Sequence, residues 1–149
     1  MLTRDFTVAT FVVQQRRVLL LRHRKLGLWL PPGGHVEPNE LPDEAAVREV
    51  WEEAGVRCEL VGERGLPVDY PRQLVRPAGI QLENIGTNHE HIDLIYFARP
   101  LDGAVEPKGN GEGDLVSWYP LEGLADLGAP TDVRQWAECA VAAVNELGR

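Results

Sequence analysis

Three glutamates, Glu49, Glu52 and Glu53, stand within five consecutive residues of a segment with helical character. On a helix, where successive residues turn by about 100°, they share one face, and Val47, Val50, Trp51 and Ala54 fall on the opposite one. Like charges at these spacings repel, each pair costing roughly a few tenths of a kcal/mol on an isolated helix. Two kinds of face tolerate that. One is a plain solvated surface. The other is a site for a hard divalent cation such as Mg²⁺, which takes carboxylate oxygens, keeps several waters and is completed by substrate phosphates.

The surrounding residues decide between them. From Gly34, five residues lead to Glu40, and seven more lead to Arg48-Glu49-Val50-Trp51-Glu52-Glu53-Ala54-Gly55-Val56. This string resembles the Nudix box, Gx5Ex7REUxEExGU with U apolar, at all seven fixed identities and both apolar positions. The resemblance extends to Trp29-Leu30-Pro31-Pro32-Gly33-Gly34, similar to the strand and turn that lead into the box. It also takes in Ile92–Ala98 and the segment from Glu112 to Trp118, which are similar to the family's later strands.

The resemblance implies roles residue by residue. Glu49, Glu52 and Glu53 would hold the divalent cations, Mg²⁺ with Mn²⁺ as a substitute, and the backbone carbonyl near Gly33 would be a further ligand. Arg48 would orient a box glutamate through its planar fork, and Glu40 would act through Arg48 or water. A later-loop acid would complete the site or take the proton from water, with Glu112 as the candidate and Asp114 and Glu90 as rivals. Glu49 is the first choice for general base, so the implied catalytic set is Glu49, Arg48, Glu53 and Glu112. The chemistry is hydrolysis of a pyrophosphate linkage, a polyanion whose charge must be neutralised while a water is held in line.

These residues need elements to position them. Phe6–Val13 and Arg17–Leu21 read as a hairpin across a Gln14-Gln15-Arg16 turn. Leu26–Leu30 runs into a Pro-Pro-Gly-Gly loop. The box helix spans Pro42 to Ala54, with Pro42, Asp43 and Glu44 suited to its first turn and Gly55 to its stop. Arg57–Glu63, Ile92–Ala98 and Val116–Tyr119 read as strands. A last helix runs from Asp132 to Leu147, with Thr131 as N-cap and Gly148 as stop. Its apolar face carries Val133, Trp136, Ala137, Ala140, Val141, Val144 and Leu147. Leu66–Glu90, rich in proline and glycine, reads as a long functional connection. Periodicity alone gives a chain of helices and strands; the resemblance implies an α/β/α sandwich with a mixed sheet between helices, in a single domain over 1–149.

The 149 residues carry a formal net charge of -8, which argues against nonspecific binding to a nucleic-acid polymer. Arg16, Arg17, Arg22, Arg24 and Lys25 nevertheless form a basic strip. Arg22 and Arg24 could steer a phosphate tail, although a solvated hairpin edge is the simpler account of such a strip. Tyr70, Trp29 and Tyr119 could stack a base, with core or rim packing as the simpler account, and Arg72 and Arg76 could clamp phosphate or ribose, with solvent exposure as theirs. His89 and His91 form an HxH pattern capable of holding a transition metal, with ordinary strand-edge histidines as the simpler account. Cys58 and Cys139 match no zinc or redox spacing. With no span of ~20 apolar residues, the expectation is a cytoplasmic protein with reduced thiols and no membrane association.

The favoured function is a Mg²⁺-dependent pyrophosphohydrolase acting on a small nucleoside diphosphate derivative or nucleoside triphosphate. The alternative is a non-catalytic nucleotide-binding or regulatory module on the same fold, a class that usually loses box carboxylates, whereas all are kept here. A prenyl-diphosphate isomerase of the same fold would need a cysteine ahead of the box, and neither cysteine precedes it. A homodimer is common in the family.

Overall fold

The computed structural model describes residues 1–109 and 115–147. In chain order the strands are β1 (Thr3–Gln14), β2 (Arg17–Arg22), β3 (Trp29–Leu30) and β4 (Gly33–His35). Helix α1 (Pro42–Ala54) follows, then β5 (Cys58–Val61), β6 (Gly79–Gly86), β7 (His89–Pro100) and β8 (Val116–Pro120). A 3-10 turn (Leu121–Gly123), a short helix α2 (Leu124–Leu127) and helix α3 (Thr131–Leu147) complete it. The sheet is mixed. β1 and β7 run parallel from Thr3 opposite His89 to Val12 opposite Ala98, and every other pairing is antiparallel.

Period-2 alternation along this parallel pair supplies two cores. Phe11, Val13, Ile95 and Phe97 face α3 and pack with Val133, Ala137, Ala140, Val141 and Val144. Val12 and Ala98 face the other way and meet Val50 and Ala54 of α1, while Val8 and Tyr96 meet Ala45 and Ala46. The two long helices therefore cover opposite faces of one sheet, as the α/β/α reading requires.

Helix α1 occupies the span expected for it. Pro42 opens the first turn, Asp43 and Glu44 lie at the positive end, and Gly55 closes the helix at φ 63° with its N–H on Trp51 O at 2.9 Å. Glycine takes that left-handed backbone with the least strain. One apolar residue departs from the wheel. Trp51, at the border of the apolar stripe, is 52% exposed, and its ring is covered by the Arg57 guanidinium at 5.4 Å. Helix α3 starts at Thr131 itself, so Thr131 is its first helical residue and not its cap; Gly148 lies outside the described residues.

The long connection is the larger correction. It contains β6, an eight-residue strand paired with β7 from Gly79 opposite Ile95 to Gly86 opposite His89, and β7 itself begins at His89. β6 does alternate, but in the unusual sense: Ile80 and Leu82 are exposed while Gln81 and Glu83 are turned in. Gly79 admits the Trp136 ring, whose Cζ2 would lie 2.9 Å from a Cβ there.

Strand β4 is the tightest fit. It pairs with β1 through Ala9, Val8 and Thr7, and a Cβ on Gly33 would run into the Val8 carbonyl oxygen and come within 3.1 Å of Ala9 Cα. Those obstacles are backbone and cannot rotate away. Gly33→Ala is therefore expected to destabilise the protein by about 1–3 kcal/mol. This is read as a lower urea midpoint with an unchanged m value; an unshifted midpoint would contradict the close approach.

Candidate active site

The carboxylates of α1 are gathered by one guanidinium. Arg48 donates from Nε to Glu40 Oε2 at 2.7 Å and from Nη2 to Glu40 Oε1 at 3.0 Å, a bidentate pair. Its Nη1 donates to Glu49 Oε1 at 2.8 Å and to Glu52 Oε2 at 3.1 Å. Nη2 also donates to the His35 carbonyl at 3.0 Å, tying the helix to β4. Lysine, a point charge, has no fork that matches this set.

Glu53 reaches the other end of β4. Its Oε1 accepts the Gly33 N–H at 2.7 Å. Gly34 supplies room between the two: a Cβ there would lie 2.6 Å from Glu49 Oε1. The Gly-Gly-His sequence of β4 is thus in contact with Glu53, Glu49 and Arg48 in turn.

The electrostatics follow from this geometry. The Arg48 hydrogen bonds hold the Glu40 carboxyl below its ordinary value, and the same bonds raise Arg48 above its own. Burial pushes Glu49 up, against the pull of Arg48. One cation thus serves Glu40, Glu49 and Glu52, while Glu53 sits on a backbone amide. The donor set is all oxygen, negative in excess, and open at two glycines. It fits a divalent cation of the Mg²⁺ or Mn²⁺ kind.

A cleft of about 660 Å³ adjoins this face, with Gly33, Gly34 and Glu53 in its wall. Its apolar end is made by Phe11, Ile95 and Trp136, and its polar wall by Gln81, Glu83, Asp93 and Asp132. The wall is bonded together. Trp136 Nε1 donates to Gln81 Oε1 at 2.8 Å, and Gln81 Nε2 donates to Asp132 Oδ2 at 3.1 Å. Thr7 Oγ1 donates to Asp93 Oδ1 at 2.8 Å. Asp93 is only 6% exposed. Burial, with Glu83 alongside, pushes its carboxyl up to about 7, and burial also raises Glu83. When protonated, Asp93 would donate to Glu83 beside it.

The remaining candidates fall elsewhere. Arg22 and Arg24 are exposed and outside the cleft lining, whereas His23 and Lys25 of the same turn line it. Tyr70 is 87% exposed, and Arg72 borders a separate shallow hollow with Arg64 and Gln73. Arg76 lies 3.9 Å from Glu63. Glu90 is paired with Arg4 at 2.9 Å. Glu112 and Asp114 lie outside the described residues. The backbone of Gly33 meets Glu53 through its N–H. Sequence reasoning missed Gln81, Glu83, Asp93, Asp132 and Trp136 as cleft residues. Asp93 did leave a signal: it is a charge inside the apolar run Ile92–Ala98.

The raised Asp93 has a definite consequence for stability. An unfolded aspartate titrates near ~3.9, while the folded protein keeps its proton up to about 7. Between those values the native state binds more protons, so stability falls as pH rises. The contribution is complete below the lower value and is lost as pH passes the upper one. Asp93→Asn retains an acceptor for Thr7 and a donor for Glu83. Its stability relative to wild type should therefore improve between about pH 5 and pH 8, on the order of 1 kcal/mol or more. Urea melts across this range test it, and a constant difference would contradict the buried proton.

Comparison with known proteins places this geometry in a family. The NUDIX domain model matches residues 2–143. A human 8-oxo-dGDP phosphatase is 30% identical over 132 residues, covering 85% of this chain and 34% of that protein. A MutT-like protein of Streptomyces ambofaciens is 32% identical over 121 residues, covering 80% of this chain and 66% of its own length. The chain thus spans about a third of the human relative. The crystal structure of a NUDIX-family hydrolase from Clostridium perfringens superposes with a TM-score of 0.78 at 32% identity, covering 98% of this chain and 99% of that one. With the family model matched over residues 2–143 and the fold shared over 98% of its length, this chain belongs to the Nudix hydrolase family.

Proposed function

We propose that this protein is a Mg²⁺-dependent pyrophosphohydrolase. It would cleave the diphosphate linkage of a nucleoside diphosphate derivative or nucleoside triphosphate into a nucleoside monophosphate and a phosphorylated product. The observation that carries this reading is the meeting of the glutamate face with the cleft, since Glu53 and Gly33 belong to both. The human relative, named an 8-oxo-dGDP phosphatase, supports a nucleotide substrate.

Glu49, Glu52 and Glu53 are the residues that would hold the metal, and the bound cation would supply charge neutralisation for the phosphates and acidify a water. The chain's own residues do the rest. Arg48 keeps Glu49 and Glu52 on one side of the helix and stops their mutual repulsion from splaying them. Glu40 fixes the guanidinium from behind through two bonds. Glu49, held in a partly desolvated position, is the carboxylate best suited to take a proton from water near neutral pH. Glu112 remains the proposed later-loop acid. The apolar end at Phe11, Ile95 and Trp136 suits a base or sugar. His23 and Lys25 stand at the cleft for the phosphate tail, and Arg22 and Arg24 beside them would add to the attracting field. Arg72, Arg76 and Tyr70 would act only on a distal portion of a larger substrate.

A homodimer would carry one such glutamate face, with its Arg48, on each copy. No helix among the described residues is long and apolar enough to cross a membrane. The free thiols of Cys58 and Cys139 suit a reducing compartment such as the cytoplasm.

Incubation with Mg²⁺ and a panel of nucleotides, following phosphate and nucleoside monophosphate release, tests the proposal. Glu53→Gln should lower kcat on the order of a hundredfold or more. A chelator should abolish turnover in the wild type and added Mg²⁺ or Mn²⁺ restore it. Nucleotide binding without turnover, unaffected by the substitution or by chelation, would instead establish a binding module.

A further inference from the structure

A second cluster of ligating groups stands apart from the glutamate helix. The parallel register sets Thr3 opposite His89 and Asp5 opposite His91, and period-2 alternation turns all four side chains to the same side of the sheet. One ligand atom from each of Asp5, His89 and His91 lies within 4.8 Å of the others. His89 Nε2 is 3.2 Å from Asp5 Oδ2. This is close to the edge of a tetrahedron whose metal–ligand bonds are about 2.0–2.1 Å long. The His89 and His91 rings are 5.2 Å apart.

The support around these three is also that of a ligand set. Thr3 Oγ1 lies 2.8 Å from His89 Nδ1, a contact that fixes the ring and leaves Nε2 turned to Asp5. His35 brings Nε2 to 3.1 Å from the same Asp5 oxygen, and its ring lies 5.0 Å from that of His91. The elements beneath are strands and not loops, so backbone pairing sets the spacing before any ion arrives. His35 and His91 both line the cleft.

We propose that Asp5, His89 and His91 form a second metal site, separate from the glutamate face, which takes a transition cation of the Zn²⁺ class and rejects Mg²⁺. Two imidazoles and one carboxylate match the preference of Zn²⁺, Co²⁺ and Ni²⁺, whereas Mg²⁺ demands oxygen. Three protein ligands leave a fourth position, the arrangement of an open site. That position belongs to water or to an oxygen of a molecule in the cleft, with His35 beside it. The protein would then hold two chemically different cations along one cleft, sorted by oxygen against nitrogen ligands.

The test is calorimetric titration of tag-free protein with Zn²⁺ in a large excess of Mg²⁺, so that oxygen-only sites are already occupied. One Zn²⁺ site per chain is expected, present in Glu53→Gln and absent or weakened more than about tenfold in His89→Ala and in His91→Ala, since even an outer hydrogen-bond partner contributes that much. Circular dichroism of the ion-free variants separates loss of a ligand from loss of the fold, and two single variants guard against one misfolding. Cobalt supplies a second reading: Co²⁺ should give a visible spectrum of low-coordinate type that Zn²⁺ bleaches. No Zn²⁺ binding under Mg²⁺, or binding lost in Glu53→Gln and kept in both folded histidine variants, would overturn the proposal and leave Asp5 as a hydrogen-bond acceptor for His35 and His89.

Discussion

The candidate site depends first on Arg48. Helix α1 places Glu49, Glu52 and Glu53 on one face at a cost in mutual repulsion that a short helix does not offset by itself. The guanidinium meets Glu40 with two bonds and Glu49 and Glu52 with one each, and it reaches the His35 carbonyl of the neighbouring strand. Its planar fork makes these contacts at once, which an ammonium group would not. The result is a carboxylate face still rich in negative charge yet fixed in shape. A site built for a divalent cation needs both.

Strand β4 is the second constraint, and it explains the glycines. Gly33 lies against the Val8 carbonyl and gives its N–H to Glu53, and Gly34 leaves space that the Glu49 carboxylate closely borders. A side chain at either position would separate the helix from the sheet at the point where the cleft meets the glutamates. The parallel pairing of β1 with β7 does a related job on the other face. The alternate residues Phe11, Ile95 and Phe97 join the core under α3, while Thr7, Asp93, His91 and Asp5 further along the same face are polar. One face of one sheet is therefore core at one end and polar cleft wall at the other. Between them lies buried Asp93, whose carboxyl is pushed up by burial and by Glu83 alongside.

Much of this was legible in the sequence, and the reason is local. The box specifies its helix, its glycine stop and its carboxylate face within a window of residues that interact with one another, so Pro42–Ala54 and Gly55 come out as read. The hairpin and the α3 stripe are legible for the same reason. What depends on distant residues is not. β6 was hidden because its inward residues are Gln81 and Glu83 and its outward ones Ile80 and Leu82, the reverse of the pattern that marks a half-buried strand. Trp51 is apolar by type but sits at the border of the stripe, where Arg57 covers it. The cleft wall joins β6, β7 and α3 across Gln81, Asp93 and Trp136, which no spacing rule brings together. The cluster of Asp5 with His89 and His91 likewise exists only through the parallel register.

The most direct measurement of the central claim is the titration of Mn²⁺ followed by electron paramagnetic resonance, which reports the free ion. The wild-type chain should remove the free signal in proportion to protein added, and Glu52→Gln combined with Glu53→Gln should leave most of it in solution while the fold is kept. Equal Mn²⁺ uptake by the wild type and by the folded double variant would contradict the assignment of the α1 glutamates as the divalent-cation site.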